Sequence, residues 1–500
     1  AKRYSLISYP MDNHSRTTGY EEETDLRRRT SNQTQIEFQA NALPETIEYY
    51  SRYELIDEAL RDNPDLVGLV HHDIRKALEC ANKAENGRSS RYSSEQVLRI
   101  AIAQIIEGES LRDISVRVDE SSFLRRFTRI FNDKMMSFST FCALRNAIKP
   151  ETWHAMNERL ARYAVEKGLI FGERLRVDTT AVETNIHWPS DSSLLWDSYR
   201  KCAALVRLAR EIRPDIDDGR RLQDRRAKRL AQKIARKAAK KSTPKEGLQA
   251  NAVKTLYSEL ISMVSDLLAL VVEVRGKLLG GKPRGAAKDL KVIATPTALA
   301  LTMDHYHDLG QQVVSQATRR VLAGEKVPND QKIFSIFEPH TELIIRGKAG
   351  KPIEFGHMVL LQQVQGCFIT DYRVFDRRPD ESKLVGSVMS SHERLFGAPP
   401  DVLTGDKGFY GGMDVIHQLE QRVGVVAICK KGRRTEEETA RESTREFKLA
   451  QAFRAGIEGS ISVLKRCFSL FRCFRKGWKH FVSFVGNAIF AHNLCVLARC

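Results

Sequence analysis

Arg174-Leu-Arg-Val-Asp178-Thr-Thr is the stretch around which the predicted fold is built. It begins an extended pattern that continues to Ile186 and is typical of a β-strand. A second stretch, Leu403-Thr-Gly-Asp406-Lys-Gly-Phe-Tyr410, places an aspartate directly after a short apolar strand, and its Gly408 permits a sharp turn. Because functional sites in open α/β sheets collect at strand ends, we expect Asp178 and Asp406 to lie at one sheet edge.

A third stretch, Arg454-Ala-Gly-Ile-Glu458-Gly-Ser-Ile-Ser-Val-Leu-Lys465, is predicted to be helical. Residues three, four and seven apart share one face of a helix. This spacing gives a polar stripe and an adjacent apolar stripe, formed by Gln451, Arg454, Glu458 and Lys465 and by Ala450, Phe453, Ile457, Ile461, Leu464 and Phe468. If the apolar stripe packs on the sheet, Glu458 turns toward the two aspartates. The alternative is a solvated helix face held by salt bridges.

Three convergent carboxylates would suit magnesium, a hard divalent cation that prefers oxygen ligands and keeps several waters. Two such ions about 4 Å apart can stabilise both the attacking and the leaving oxygen of an in-line displacement. The three stretches together therefore predict a two-metal site that cuts phosphodiester bonds. A single aspartate in a turn is usually structural, so the prediction depends on all three carboxylates.

The charge balance points to a polyanionic partner. The formal net charge is +17 and the pI is about 9.4, and lysine and arginine gain affinity for phosphates by displacing counterions. Between Lys201 and Lys245 there are 16 Lys and Arg against 5 Asp and Glu, a local excess of 11. The alternative is a protein that is basic throughout without a nucleic-acid partner.

Cysteine usage and hydropathy indicate the cellular setting. The 9 cysteines include no Cys-x-x-Cys pair, which favours neither a disulfide framework nor a zinc ribbon and fits a reducing cytoplasm. We expect no signal peptide in the amino-terminal stretch. The apolar run from Phe481 to Leu497 is interrupted by Asn487, His492 and Asn493, so it predicts a packed helix and not a membrane span.

The amino-terminal third is predicted to be helical. Residues 1 to 45 are expected to be poorly ordered, and helical periodicity follows from Thr46 to about residue 170. Ser93 and Gln96 form a predicted capping box, and Ser137 a predicted cap of a later helix. Short helices joined by tight turns, with arginines on the last, could form a helix-turn-helix reader of DNA. A helical bundle without DNA contacts would show the same periodicities.

The remaining two thirds change periodicity twice. Two helical runs are predicted, from Ser192 to about Lys241 and from Asn251 to Leu279. Beyond residue 340, three successive strands are followed by alternating helices and strands, which favours an α/β sheet. The polar segment from Lys430 to Arg445 is densely charged and is predicted to be a mobile loop.

These motifs together resemble the DDE transposases of bacterial insertion sequences, in particular the ISNCY-type group. The resemblance spans roughly residues 90 to 500. It is carried by Arg176-Val-Asp-Thr-Thr-Ala-Val-Glu-Thr-Asn-Ile-His-Trp-Pro-Ser-Asp-Ser-Ser-Leu-Leu-Trp196 and by His340-Thr-Glu, Arg346-Gly-Lys, Lys351-Pro and Glu354-Phe-Gly356. The polar stripe also matches the spacing of a Tyr-Arg-Glu-Lys signature, with Gln451 in place of the tyrosine.

The resemblance implies a multidomain α+β and α/β protein. Residues 171–190 and 340–500 would form an RNase H-like catalytic domain, a mixed sheet flanked by helices. Residues 191–339 would be a basic helical insertion into that domain. Residues 46–170 would form an all-α, helix-turn-helix-like domain that binds the terminal inverted repeats of the element.

The resemblance also implies a catalytic and metal-binding triad of Asp178, Asp406 and Glu458 that binds two Mg²⁺ ions, for which Mn²⁺ would substitute. The partners would be double-stranded DNA, as terminal repeats and as target, and a second copy of the chain or more. The implied location is the bacterial cytoplasm, in association with the nucleoid and without a membrane. The residues expected to contact DNA are Arg454, Lys465, Lys407, Arg145, Arg225, Arg226 and Arg229.

Two other functions stay open at this point. The chain could be a catalytically silent DNA-binding relative, or a nuclease that hydrolyses without strand transfer. Glu183 and His187 lie near the first aspartate and are weaker candidates for a metal role. Glu354 and Asp371 are interpreted as ordinary strand residues.

Overall fold

The computed structural model describes residues 43–80, 92–239, 248–280, 295–345 and 352–499. Almost all of the segment predicted to be poorly ordered, residues 1–45, lies outside the described residues. So do residues 346–351, which carry part of the resemblance, and the end of the basic run at residues 240–245.

The helices are α1 (Pro44–Arg61), α2 (Asp65–Cys80), α3 (Ser94–Ile106), α4 (Leu111–Glu120), α5 (Ser122–Phe127), α6 (Phe138–Ala147), α7 (Pro150–Glu166), α8 (Asp191–Ile212), α9 (Asp224–Ala239), α10 (Leu248–Leu279), α11 (Pro296–Ala317), α12 (Val385–Phe396), α13 (Met413–Glu420), α14 (Glu436–Ser443), α15 (Arg445–Cys467) and α16 (Trp478–Leu497). The strands are β1 (Arg174–Thr184), β2 (Glu342–Ile345), β3 (Ile353–Val364), β4 (Ile369–Val374), β5 (Val402–Gly405), β6 (Val425–Ile428) and β7 (Arg472–Cys473). The predicted capping box at Ser93 and the cap at Ser137 are both present.

The strands form one open, mixed sheet in the order β2-β3-β1-β5-β6, with β4 paired to β3 and β7 paired to β1. β1 runs antiparallel to β3 and parallel to β5, and β6 is parallel to β5. The sheet lies among helices, with α15 in contact with β1, β5 and β6 and with α7 and α16 in contact with β4. The prediction of a mixed α/β sheet flanked by helices is therefore confirmed.

The amino-terminal helices share their hydrophobic core with the sheet. α16 packs against α7, α3 and α1, and a single cluster of buried apolar residues joins these helices to β1, β3 and β5. This core extends across the predicted domain boundary near residue 170. The division of the chain into domains therefore stays a prediction. The apolar run of Phe481–Leu497 is buried along its length, which confirms it as a packed helix.

A second hydrophobic core lies within the helices predicted to form the insertion. α8, α10 and α11 pack on one another, α9 packs on α8 and α10, and their buried residues form a cluster separate from the first. Among the described residues, two helices are long and apolar enough to cross a membrane: α16, whose apolar window is 89% buried, and Asn251–Leu279 in α10, at 44%. Core helices of folded proteins pass the same test, so this is weak evidence for a span.

Two sequence-based assignments need correction. The predicted run from Ser192 to Lys241 is two helices, α8 and α9, because the chain breaks at Arg213-Pro214 and Pro214 lacks the backbone N–H that helix continuation requires. The segment from Lys430 to Arg445 is not a mobile loop throughout. It contains α14, which begins with a capping box between Thr435 and Glu438.

Arg176 fastens α15 to the sheet. Its side chain is 5% exposed, its Nε donates to Gln363 Oε1 at 2.8 Å, and its Nη1 donates to the carbonyl of Phe453 at 2.8 Å. The guanidinium also lies 4.6 Å from the centre of the Phe453 ring. A Cβ on Gly456 would collide with this guanidinium, so only glycine leaves room for the arginine beneath the helix.

We predict opposite effects for two glycine-to-alanine substitutions in α15. Gly459→Ala adds a methyl group where nothing lies within 4 Å, so it should stabilise the helix by about 0.5–1 kcal/mol. Gly456→Ala should lower the free energy of unfolding by about 1–3 kcal/mol, because Arg176 must move and lose its hydrogen bonds. Urea denaturation of the two variants measures the difference. Equal stabilisation by both would contradict the role assigned to Arg176.

Candidate active site

The site is built where the pairing of β1 with β5 stops. The two strands pair in parallel only through Arg174–Arg176 of β1, while β7 pairs with Glu183 and Thr184 at the other end. Between these points, the edge of β1 that faces β5 is open. Because Arg176 pairs with Thr404, the same register carried on by two residues brings Asp178 beside Asp406.

Asp178 lies inside β1 and not at its end, which corrects the sequence-based expectation. It is β5 that ends, at Gly405, so the turn that carries Asp406 reaches the open edge of the longer strand. Arg176 and Asp178 project to one face of the sheet because side chains alternate along a strand. That face carries α15, since Arg176 bonds to Phe453 of that helix.

Local hydrogen bonds fix both aspartates. Asp178 Oδ1 accepts the backbone N–H of Thr179 at 2.7 Å, and Asp406 Oδ1 accepts that of Gly408 at 2.7 Å. Burial raises the pKa of Asp178 to about 6, and the negative charges of Asp406 and Glu381 contribute in the same direction. A carboxyl whose proton affinity is raised by burial and by neighbouring carboxylates is typical of functional sites.

Glu458 lies on the same cleft as the aspartates. The cleft has a volume of about 850 Å³, and it is lined by Asp178, Asp406 and all four residues of the predicted polar stripe, Gln451, Arg454, Glu458 and Lys465. The apolar stripe is turned inward, with Ala450, Ile457, Leu464 and Phe468 buried. The packing of α15 on the sheet through its apolar stripe is therefore confirmed, with Phe453 and Ile461 half-buried. The glutamate side chain is 63% exposed and forms an ion pair of 3.0 Å with Arg454, so the salt-bridged face is also present.

The donor set suits a hard divalent cation at the aspartate pair. Carboxylate oxygens are the ligands that Mg²⁺ prefers, and among the described residues neither Asp178 nor Asp406 forms an ion pair with a lysine or arginine. Within the described ranges, no three His, Cys, Asp or Glu side chains lie close enough together to hold a metal ion. Glu458 would have to leave Arg454 to join the aspartates.

Glu381 is a fourth carboxylate on the cleft, and the sequence-based reasoning missed it. It sits in a short 3-10 turn, Glu381–Lys383, before α12, and it accepts a hydrogen bond from the hydroxyl of Thr179. A Cβ on Gly408 would collide with its carboxylate. Gly408 thus serves close approach and not a left-handed turn. Asp-Glu-Ser at 380–382 reads as an ordinary helix start, so no spacing in the sequence marks this residue.

The positive charges expected to contact DNA fall into two groups. Lys407 is exposed at the cleft, and Arg454 and Lys465 line it. Arg225 and Arg229 are exposed on α9, where Arg226 pairs with Glu259 at 2.6 Å.

Arg145 does not belong to either group, and the expectation that it contacts DNA is wrong. Its side chain is buried at 4% exposure and donates to Gln104 Oε1 at 2.8 Å. Arg145 lies in the last turn of α6, and its side chain points into the core between α6 and α3.

The weaker metal candidates lie outside the cleft. Glu183 forms an ion pair of 2.6 Å with Arg472 of β7. His187 Nε2 lies 2.7 Å from a carboxylate oxygen of Asp197 in α8. Glu183 thus joins the end of β1 to β7, and His187 joins the segment after β1 to α8.

Neutralising Asp178 should stabilise the metal-free protein above pH 6. The folded state holds the Asp178 proton more tightly than the unfolded chain does, so the free energy of unfolding falls as the pH rises from about 4 through about 6. Asp178→Asn removes this penalty. We expect the variant to exceed the parent by about 1–2 kcal/mol at pH 7.5, after allowance for water in the cleft, and to match it at pH 4.

Thermal and urea denaturation in EDTA across pH 4 to 8 measures this effect. Asp371→Asn is the matched control, because Asp371 makes the same local bond to the next backbone N–H, at 2.8 Å, and lies on β4 away from the cleft. A parent protein that is as stable as Asp178→Asn at pH 7.5 would show that neither burial nor the neighbouring carboxylates penalise the ionised form of Asp178.

Comparison with protein-family models, with curated proteins and with solved structures finds no match for the chain. What the protein does must therefore be inferred from the residues of the cleft and the charges around it. Those residues combine paired aspartates, two further glutamates and a basic border, on the open edge of a mixed sheet.

Proposed function

We propose that this chain is a DDE transposase that cleaves DNA at the ends of an insertion sequence and joins the freed 3′ hydroxyl to target DNA. One observation carries the proposal: Asp178 and Asp406 follow the paired residues of β1 and β5 and line one cleft together with Glu458. The mixed sheet flanked by helices is compatible with an RNase H-like catalytic domain. The helices of residues 46–170 would bind the terminal repeats.

The acidic residues act in this proposal as oxygen ligands. Asp178 and Asp406 would hold divalent cations, Mg²⁺ or Mn²⁺, and Glu458 would complete the set on release from Arg454. When bound, two such cations stabilise the attacking and the leaving oxygen of an in-line displacement. Asp178 must be ionised to serve as a ligand, and a neighbouring cation favours its ionised form over the proton that burial favours.

The reaction is two displacements at one site. First, the oxygen of water forms a bond to the phosphorus at the element end, and the 3′ oxygen leaves as a hydroxyl. Then that 3′ oxygen attacks a phosphorus of the target, and the 3′ oxygen of the target strand leaves in turn. Arg454, Lys465 and Lys407 would neutralise the phosphates on either side.

The exposed face of α9 would hold DNA outside the cleft. Arg225 and Arg229 are exposed there, and contacts of this kind position the backbone without reading its sequence. Bringing two element ends together requires two active sites, so the working form would be a dimer or larger.

We predict that Asp178→Asn and Asp406→Asn each abolish cleavage and strand transfer on DNA that carries the element's own ends. The physical reason is the loss of a charged oxygen ligand, which should reduce the rate by at least about 100-fold. Glu458→Gln should do the same. The measurement is a gel assay with end-labelled DNA, scanned across Mg²⁺, Mn²⁺ and EDTA.

Two conservative variants serve as controls for the aspartates. Asp371→Asn matches Asp178→Asn, and Asp401→Asn matches Asp406→Asn, because Asp401 is exposed at the opposite end of β5. Both controls should keep full activity. Full strand transfer by Asp178→Asn would overturn the proposal. A DNA shift without cleavage would favour a silent DNA-binding relative, and cleavage without joined product would favour a nuclease.

A further inference from the structure

A basic loop, Lys430–Arg434, connects β6 to α14 and begins next to Cys429, a residue that lines the cleft. β6 is parallel to β5, and Ile428 pairs with Gly405, so the next residues, Cys429 and Asp406, leave the sheet side by side. Cys429 lines the cleft. Lys431 is two residues further along the chain, so it lies within about 7 Å of Cys429.

Buried and half-buried carboxylates fix the base of this loop. Glu438, at 1% exposure, accepts from Lys430 Nζ at 2.8 Å and from the backbone N–H of Thr435 at 2.7 Å. Its other oxygen accepts from the hydroxyl of Tyr410, on the turn that follows Asp406. The base of the basic loop and the Asp406 turn are therefore held by one carboxylate.

A second carboxylate closes the loop from the other side. Glu442 accepts from the backbone N–H of Lys430 at 2.9 Å and forms an ion pair of 2.6 Å with Arg434. Arg441, between the two glutamates, donates to the carbonyls of Val426 and Ile428 at 2.7 Å each. α14 thus holds both ends of the basic loop through Glu438 and Glu442. The same helix is bonded to β6 through Arg441.

The tip of the basic loop has a different character. Lys431 and Arg433 are exposed, and within the described ranges neither forms an ion pair. Gly432 between them has a φ of +94°, a conformation that glycine adopts without strain. Two unpaired cations are consequently presented on a backbone whose base is already fixed.

We propose that the basic loop is a docking surface for the phosphate backbone of DNA lying in the cleft, with Lys431 and Arg433 each contacting a phosphate. This inference rests on the proposed function. Lys430 and Arg434 form ion pairs within the protein, whereas Lys431 and Arg433 at the tip are available to bind a polyanion. A loop ordered before binding loses little conformational entropy on contact, which favours affinity. Lys407, Arg454 and Lys465 on the same cleft would continue the contact.

The salt dependence of DNA affinity tests the inference. Each phosphate contact contributes about 0.9 to the slope of log K against log salt concentration. Lys431→Ala/Arg433→Ala should therefore make the slope less negative by about 1.8, with an equal loss of affinity on any duplex sequence. Lys431→Glu/Arg433→Glu should weaken binding further. Fluorescence anisotropy with labelled duplex and the full chain, from 50 to 300 mM salt, measures both.

Arg394→Ala/Arg422→Ala is the matched control. It likewise removes two exposed cations, Arg394 and Arg422, which pair with Glu158 and Glu393. Arg422 precedes β6, at the end of that strand opposite the basic loop. The control should keep the parent slope. Thermal denaturation verifies that both double variants fold, which is expected because all four side chains are on the surface.

The outcomes separate this inference from the proposed function. If the parent binds and cleaves DNA and the Lys431/Arg433 variants retain its slope, the inference is wrong and the proposed function stands. If the parent shows no salt-sensitive DNA affinity and no cleavage, the proposed function is wrong. A reduced slope in the loop variants, with an unchanged slope in the control, supports the inference.

Discussion

The structure depends on a strand pairing that stops early. β5 pairs with β1 over only three residues and then turns, so the residues just beyond the last pair, Asp178 and Asp406, meet at an open strand edge. Burial raises the pKa of Asp178, and the negative charge of Asp406 beside it adds to this effect. The arrangement costs stability in the metal-free protein, and natural proteins retain such costs mainly at functional sites.

The surrounding structure keeps the aspartates in place against this repulsion. On one face of the sheet, Arg176 joins β1 to α15 through hydrogen bonds to Gln363 and Phe453. On the other, Glu381 accepts from Thr179 and lies against Gly408. One large hydrophobic cluster includes buried residues of β1, of α15 and of α12, and so joins both layers to the sheet. Small displacements of a carboxylate strongly affect chemistry, so this support is what a preorganised site requires.

The basic side chains fall into two groups, those in ion pairs within the protein and those that are exposed without one. Many basic side chains are used within the protein, as in the pairs Lys430–Glu438 and Arg226–Glu259. Others, such as Arg225 and Lys431, are exposed without an ion pair among the described residues. Pairing within the fold fixes loops and helices, and the unpaired cations are the ones to which the proposed function assigns phosphate contacts.

Periodicity in the sequence by itself determined the α/β sheet, the inward and outward faces of α15, the packed helix α16 and the caps at Ser93 and Ser137, because these follow from local spacing. The sequence also identified Asp178, Asp406 and Glu458 as candidate site residues. Tertiary structure alone decided the early end of β5, the recruitment of Glu381 and the burial of Arg145. Each of these depends on which distant segments meet in space, and hydrophobic periodicity carries no information about such contacts between polar side chains.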